Sequence, residues 1–595
     1  MPLVIPDAIQ RALRSLDEKR EQLVPYKIAG AITEIRQSLT AQGRDEQSGA
    51  WAELSAFQFA AGRGEPWGTY FGPLSSGTRS DGLEFYFPDV READSEIVGY
   101  WKARVSEVSH PVLRARYADV VWDLSEAAGK IRRDPSFARI AIDSYIDTVD
   151  AGLFKAPTEA ALYLTRAMDL GLSLNDKARV ERVRDCMLGF YDQHGIASHP
   201  GTWGFLFDEL LQNKKIPLLE DQRKQIVDTL ENILRICSTL ESGDFDPFSA
   251  QSAAERLASY YHGRGKTEDR NRVIQTYGQA FERISQNASS LLAMSWLAPV
   301  IDAYRNIGLA EDLKRALLLY SGKGESANQE MKTISVPVEI TQGELEAYVE
   351  AMVEGSLEEC LIRMARRFTP NVEEERSLMQ TIAKEHPLLG RIGVEKIADG
   401  QVVGGAGSII DDEEGRLVFQ IAERIGSYIG LLGLALDRAR DRHQMAVDNV
   451  MGVLYKSPLF TENRRTLIED GFRAYFNGDF VKVIHVLIPQ IEECLRTLLK
   501  LSGEPVNKPK GQGKGLLQQK NLNEILAEPT IGTKLGMDIR TYLLTLLADA
   551  RGLNLRNRVS HGLMTAAECS RPFADRVFHV FLVLASFHAE PTPSE

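Results

Sequence analysis

A chain of 595 residues is longer than one hydrophobic core usually supports, so several domains are expected. With 44% apolar and 26% charged residues it has the balance of a globular protein, which excludes a disordered or fibrous chain. The net charge of −13 argues against nucleic-acid binding by the body as a whole, but it is unevenly spread: residues 472–595 hold 15 Lys and Arg against 12 Asp and Glu, and residues 1–471 hold 55 against 71. A weakly positive C-terminal part can still engage phosphate locally, because salt confines surface charge effects to roughly 8 Å.

The opening Met1-Pro2-Leu3-Val4-Ile5-Pro6-Asp7 meets charge too early for a signal peptide, and no run reaches the length of a membrane helix. A cytoplasmic protein with no membrane partner is therefore expected. Cys186, Cys237, Cys360, Cys494 and Cys569 are scattered and odd in number, with no CxxC pair, which argues against a disulfide framework and a zinc ribbon. No metal or cofactor is expected.

In chain order, residues 1–95 read as a cap module: an amphipathic stretch with Ile9, Leu13 and Leu16, then the Gly- and aromatic-rich Trp67-Gly68-Thr69-Tyr70-Phe71-Gly72-Pro73. Residues 96–330 repeat a unit of helix, short turn and helix. Leu257–Tyr261 precedes a Gly263/Gly265 turn and Val273–Tyr277, and Ile301–Tyr304 precedes Gly308 and Ala316–Tyr320. Tyr261 and Tyr304 stand 43 positions apart, a period of helix-pair scaffolds, so an irregular solenoid-like body with room for a protein partner is expected.

Residues 331–470 read as a mixed linker domain. It holds a hairpin in which Gly400–Val403 and Gly415–Phe419 flank an acidic turn, Asp411–Glu414. Gly404-Gly405-Ala406-Gly407 lacks a following Lys-Ser/Thr, and a flexible turn is expected there in preference to a phosphate loop.

Residues 471–590 form the clearest domain. After Asn477-Gly478-Asp479, with Asp479 as cap, apolar residues fall at Phe480, Val483, Ile484, Leu487, Ile488, Ile491, Leu495 and Leu498, one helical stripe carrying Pro489. A basic linker, Glu504–Leu516, carries Lys508, Lys510 and Lys514. Ile539 to Leu547 mark a second helix, Gly552 and Asn554 break it, and Phe573–Phe587 predict an apolar last helix, buried between its neighbours or against a second copy. The fold class expected is mainly α: a helical-repeat body, a small hairpin in the middle, and a C-terminal all-helical bundle.

Between the break and the last helix lies Arg556-Asn557-Arg558-Val559-Ser560-His561-Gly562. An Arg followed by a His at this spacing is common, and Arg104/His110, Arg256/His262 and Arg438/His443 match it too. What sets Arg556 apart is the polar Asn557 after it and Gly562 after the His. The Arg-Asn-x-x-x-His-Gly signature, with Gly478-Asp479-Phe480 and Leu487-Ile488-Pro489-Gln490-Ile491-Glu492 upstream, resembles a family of unknown function defined by that signature, which is similar to the HEPN superfamily. The resemblance covers about 120 of the 595 residues.

It implies a metal-independent endoribonuclease, a homodimer with two motifs meeting in one site, and the setting of a toxin or antiviral effector. The chemistry of the residues agrees. His561 can move a proton near neutral pH, and Arg556 offers a planar fork of donors to phosphate. Asn557 would hold the imidazole or a phosphate oxygen, Arg558, Lys508, Lys510 and Lys514 would bind the RNA backbone, and Gln490 and Glu493 would support the motif from the first helix. On residue pattern alone, that polar face reads better as a solvated one with a Glu492–Arg496 ion pair. The competing expectation is a non-catalytic adaptor that binds RNA or protein.

Overall fold

The computed structural model describes every residue except 1–2, 20, 42–46, 80, 333–338, 399, 511–514 and 589–595. The architecture is mainly α, and the strands among the described residues form only two-stranded antiparallel pairs. The chain divides into two compact units, one of residues 1–288 and 295–319, the other of residues 289–294 and 320–595. The expected boundary at residue 95 falls inside the first unit and that at residue 470 inside the second. No single helix among the described residues is long and apolar enough to cross a membrane. Only the bent pair Glu413–Ser427 and Ile429–His443 has the length and composition, and its Leu417, Ile421, Leu432 and Leu436 are buried in the core.

In the first unit each helix packs chiefly on its sequence neighbour: Pro111–Ala127 on Pro135–Asp150, that on Pro157–Ser173, and Pro247–His262 on Thr267–Asn287. The Gly turns stand where expected, with Gly265 and Gly308 at φ of +70° and +80°. The repeat also has a brace that apolar spacing does not reveal. Tyr261 donates to Glu231 on the preceding helix (2.7 Å), and Arg272 grips the same carboxylate. Forty-three residues on, Tyr304 donates to Glu282 (3.0 Å), again on the preceding helix, and Arg315 grips it at 2.6 and 3.0 Å. Asp269 and Asp312 flank the two arginines one helical turn earlier. Gly278 lets Tyr304 in, since a Cβ there would collide with the hydroxyl.

The N-terminal residues share this core. Asp123 accepts the backbone N–H groups of Tyr70 and Phe71, Arg116 donates to the carbonyls of Ala56 and Phe59, and Trp101 donates to Ala52. The Gly- and aromatic-rich stretch is thereby tied to the helices that follow it.

The second unit is built round its last helix, Arg571–Ala585. It packs on Phe480–Leu501, Leu357–Arg367, Ile429–His443 and Val447–Leu454, and every residue from Ala574 to Ala585 is buried. Of the two ways to bury it, the structure uses packing inside one chain, so this helix offers no face to a second copy. Phe480–Leu501 runs as one helix through Pro489, with the expected stripe inward and Asp479 capping Lys482 N–H at 3.0 Å.

Two segments differ from expectation. The middle hairpin pairs Val394–Ala398 with Gln401–Ala406, and the stretch expected as its second strand is the helix Glu413–Ser427. Asp412 caps that helix at Gly415 N–H, and Glu413 and Glu414 fill its first turn, where carboxylates meet the positive end of the helix dipole. The acidic cluster therefore starts a helix and does not turn a hairpin. Asp412 also accepts from Gly407 N–H, so this glycine run offers no open phosphate cradle. The basic linker, for its part, contains a short antiparallel pair, Asn507–Pro509 with Leu517–Gln519.

Candidate functional site

The motif hangs from the helix Met537–Leu547. After Ala548 the chain folds back on this helix: Leu553 N–H donates to Thr545 O at 2.8 Å, and Gly552 lies where a Cβ would strike that same carbonyl. Lys396, from the middle hairpin, donates to Gly552 O. Asn554 then takes a left-handed conformation, φ +55°, and launches the six-residue helix Leu555–Ser560.

Three motif side chains are engaged within the protein. Arg556 places Nε and Nη2 on one oxygen of Glu492, both at 3.0 Å, and its Nη1 on Asn557 Oδ1 at 3.0 Å. The second oxygen of Glu492 accepts from Arg496 at 2.9 Å, and Arg496 also pairs with Glu493 at 2.5 Å. Asn557 Nδ2 donates to Ala548 O (3.1 Å) and Asn554 Oδ1 (2.7 Å), tying the short helix to the end of the one before it. Arg558 pairs with Glu568 at 2.6 Å. The N–H and hydroxyl of Thr565 also reach Glu568. The Thr565 backbone bond first, and Arg558 next, hold that carboxyl well below its ordinary range, at about 2.

His561 is different. It caps the C-terminus of the short helix, its backbone N–H on Asn557 O at 2.9 Å, while its imidazole is exposed and makes no hydrogen bond to the described residues. Gly562, at φ +69°, closes the helix: Gly562 N–H reaches Val559 O and Leu563 N–H reaches Arg558 O, the paired bonds of a glycine-terminated helix. The Gly of the signature thus has a backbone reason.

Several expectations change at this point. His561 lies at the C-terminal end of a six-residue helix, away from the free N–H groups of its first turn. Asn557 holds backbone and Arg556, not the imidazole. The polar face of Phe480–Leu501 is not solvated: Gln490 and Arg496 are buried, and the 492–496 ion pair is there but turned inward. Among the described residues Gln490 bonds only back to Val486 O, and Glu493 is linked to the motif through Arg496 and then Glu492. The residue missed is Glu492, which meets Arg556 across 64 positions of chain; only its helical spacing from Arg496 hints at a role. Lys508 stands on a strand and pairs with Glu524, while Lys510 is exposed and Lys514 lies outside the described residues.

In the three other Arg/His matches each Arg is held in an ion pair, while His262, like His561, is exposed and makes no side-chain hydrogen bond to the described residues. Arg104 pairs with Glu53 and Glu107, Arg256 with Asp208 and Arg438 with Glu350, while His110 caps a helix and His443 meets Val353 O.

Residues 33–182 match a family described as a domain of unknown function, DUF7380. That match lies wholly in the first unit and does not include the motif residues. No curated protein and no solved structure matches the chain.

Proposed function

We propose that the chain is a metal-independent endoribonuclease whose site is Arg556 with His561, a HEPN-type ribonuclease acting as a toxin or antiviral effector. The observation that carries this is the contrast along one short segment: Arg556 and Asn557 are locked to the scaffold, while the imidazole just over one turn further on is exposed and makes no hydrogen bond to the described residues. Of the five guanidinium N–H donors of Arg556, one is used by Glu492 and one by Asn557, which leaves others for phosphate oxygens.

In the reaction, His561 takes the proton of an RNA 2′-hydroxyl and the 2′-oxygen bonds to phosphorus. The bond to the 5′-oxygen breaks, and that oxygen takes a proton from an imidazolium, leaving a 2′,3′-cyclic phosphate and a 5′-hydroxyl. Arg556 neutralises the charge gathering on the non-bridging oxygens. Base work of this kind is worth roughly 10² to 10⁴ in rate and charge stabilisation roughly 10² to 10³. A homodimer would supply two imidazoles, one as base and one as acid; the apolar last helix no longer supports it, so the dimer rests on the resemblance alone.

A second reading has an observation of its own. Glu492 already neutralises Arg556, as expected of an Arg that pins a fold, and this favours a non-catalytic adaptor binding RNA or protein. The deciding measurement is incubation of wild type, Arg556→Ala and His561→Ala with labelled RNA in EDTA, with the product ends identified. Cleavage by wild type to cyclic phosphate ends, lost at least about 100-fold in His561→Ala, is expected. Equal cleavage by His561→Ala, or none by any form, would favour the adaptor.

A further inference from the structure

The middle hairpin is far from the motif in sequence and touches the chain where it turns into the motif helix. Its strands pair in step from Val394 and Ala406 to Lys396 and Gly404, and the register then slips: Ile397 stands opposite Val402, and Val403 has no partner in the ladder. Bulges of this kind re-aim a side chain and recur beside functional sites. The two residues at the slip, Lys396 and Gly404, are the ones that meet the segment before the motif. Lys396 donates to Gly552 O across 156 positions of chain. Gly552 is buried, so an unmatched carbonyl there would be costly. Gly404 faces Arg551 so closely that a Cβ would stand 2.8 Å from the Arg551 Cγ. Arg551 is itself fixed by Asp549, which it grips at 2.7 and 3.0 Å.

The far end of the hairpin is seated as closely. Its tip, Gly400 at φ +73°, lies on Gly324 of the helix Ala310–Glu330, where a Cβ on Gly324 would fall 1.5 Å from Gly400 O. Tyr320 of the same helix receives Val402 N–H on its hydroxyl at 3.5 Å. At both ends a glycine removes the side chain that would cushion a displacement. The hairpin adds little to the apolar core, since Ala406 is the one buried residue among those described from Val394 to Ala406. Its contribution lies in what it touches at its ends.

We propose that this hairpin is a lever that sets the placement of the motif helix, with Lys396 as its positioning residue, so that a shift at Gly324 reaches Arg556 and His561 through Gly552. The proposal deepens the cleavage reading and rests on it for the kinetic part of its test; the exchange part does not depend on it.

The test reads amide hydrogen exchange of the full chain beside cleavage kinetics. In Lys396→Met, exchange over residues 552–562 is expected to rise about tenfold or more while Val483–Leu498 keeps its wild-type protection, because one charged hydrogen bond holds the break and not the core. The kcat is expected to fall about tenfold or more at unchanged KM, since the motif is displaced and not removed. Lys396→Arg keeps a cationic donor and is expected to restore both. Gly324→Ala, whose Cβ must push the tip, should raise exchange over residues 552–562 by itself and add nothing in the Lys396→Met background. No rise in Lys396→Met, a rise spread evenly over the second unit, no rescue by Lys396→Arg, or full additivity of the two substitutions would each overturn the lever. Unchanged cleavage by Lys396→Met overturns it too and leaves the cleavage reading intact. The expected exchange pattern in a wild type that cleaves no RNA does the reverse.

Discussion

At the scale of single residues, the motif divides into side chains that build and one that is left over. Asn557→Ala would leave Ala548 O and Asn554 without their donor, and it should cost about 1–3 kcal/mol in urea unfolding. His561→Ala removes an exposed, unbonded ring and should leave stability within about 0.5 kcal/mol of wild type, whatever it does to activity. These two variants separate folding from chemistry, which loss of cleavage alone does not do. Glu568 gives a pH signature. Its carboxyl is held at about 2, below its unfolded value, so the stability it contributes is present above the ordinary carboxylate range and is lost as pH falls through the folded value. The side chain is 38% exposed, so solvent screening keeps the effect modest. The difference in melting temperature between wild type and Glu568→Gln should be present at pH 7 and should shrink from about pH 4.5 towards pH 2; a difference that stays constant over that range would show that the carboxylate charge is not what holds Thr565 and Arg558. The residue that sequence reading missed here, Glu492, shows where such reading stops. Its four-residue spacing to Arg496 is local and was legible, whereas its bond to Arg556 spans 64 positions and depends on how two helices meet.

At the scale of elements, what was legible follows from which forces are local. The stripe from Phe480 to Leu498, the Gly turns at 265 and 308 and the break at Gly552 and Asn554 were read correctly, because periodicity and backbone sterics act within a few residues. The segment Asp411–Glu414 was misread because clustered acids suit both an exposed turn and a helix start, and the short apolar run after it, Leu417-Val418-Phe419, fits a strand as well as a helix. The cap from Asp412 to Gly415 N–H decides for the helix. Helix termination at the motif makes a prediction of this scale. Gly562 holds φ +69° with open space around it, so Gly562→Ala meets no clash but must adopt a left-handed backbone. It should destabilise the second unit by about 1 kcal/mol in urea unfolding, and Gly562→Asn by less.

At the scale of the whole molecule, each unit has its own apolar core. One gathers residues from Ile5 to Ala316, the other from Met352 to Ala585. Calorimetry is therefore expected to resolve two transitions. Phe578→Ala, which removes a ring packed on Phe472 at 5.0 Å, should lower one of them by an amount that corresponds to about 3–5 kcal/mol and leave the other in place. A single transition that moves as one would refute independent cores. Sequence reading placed the mainly helical class and the motif's position in the chain. It did not foresee that the last helix would draw Leu357–Arg367 and Ile429–His443 into the same bundle, since pairings at such distances leave no periodic trace. The braces at Tyr261 and Tyr304 carry one more consequence. Each tyrosine and arginine clasp a glutamate on the helix just before their own pair, so both of these pairs bring their own fastening and ask of the preceding helix only one acid. A stack fastened in this way can be lengthened or shortened by one 43-residue cassette at little structural cost, and its length is a quantity that gene duplication can tune without redesigning either end.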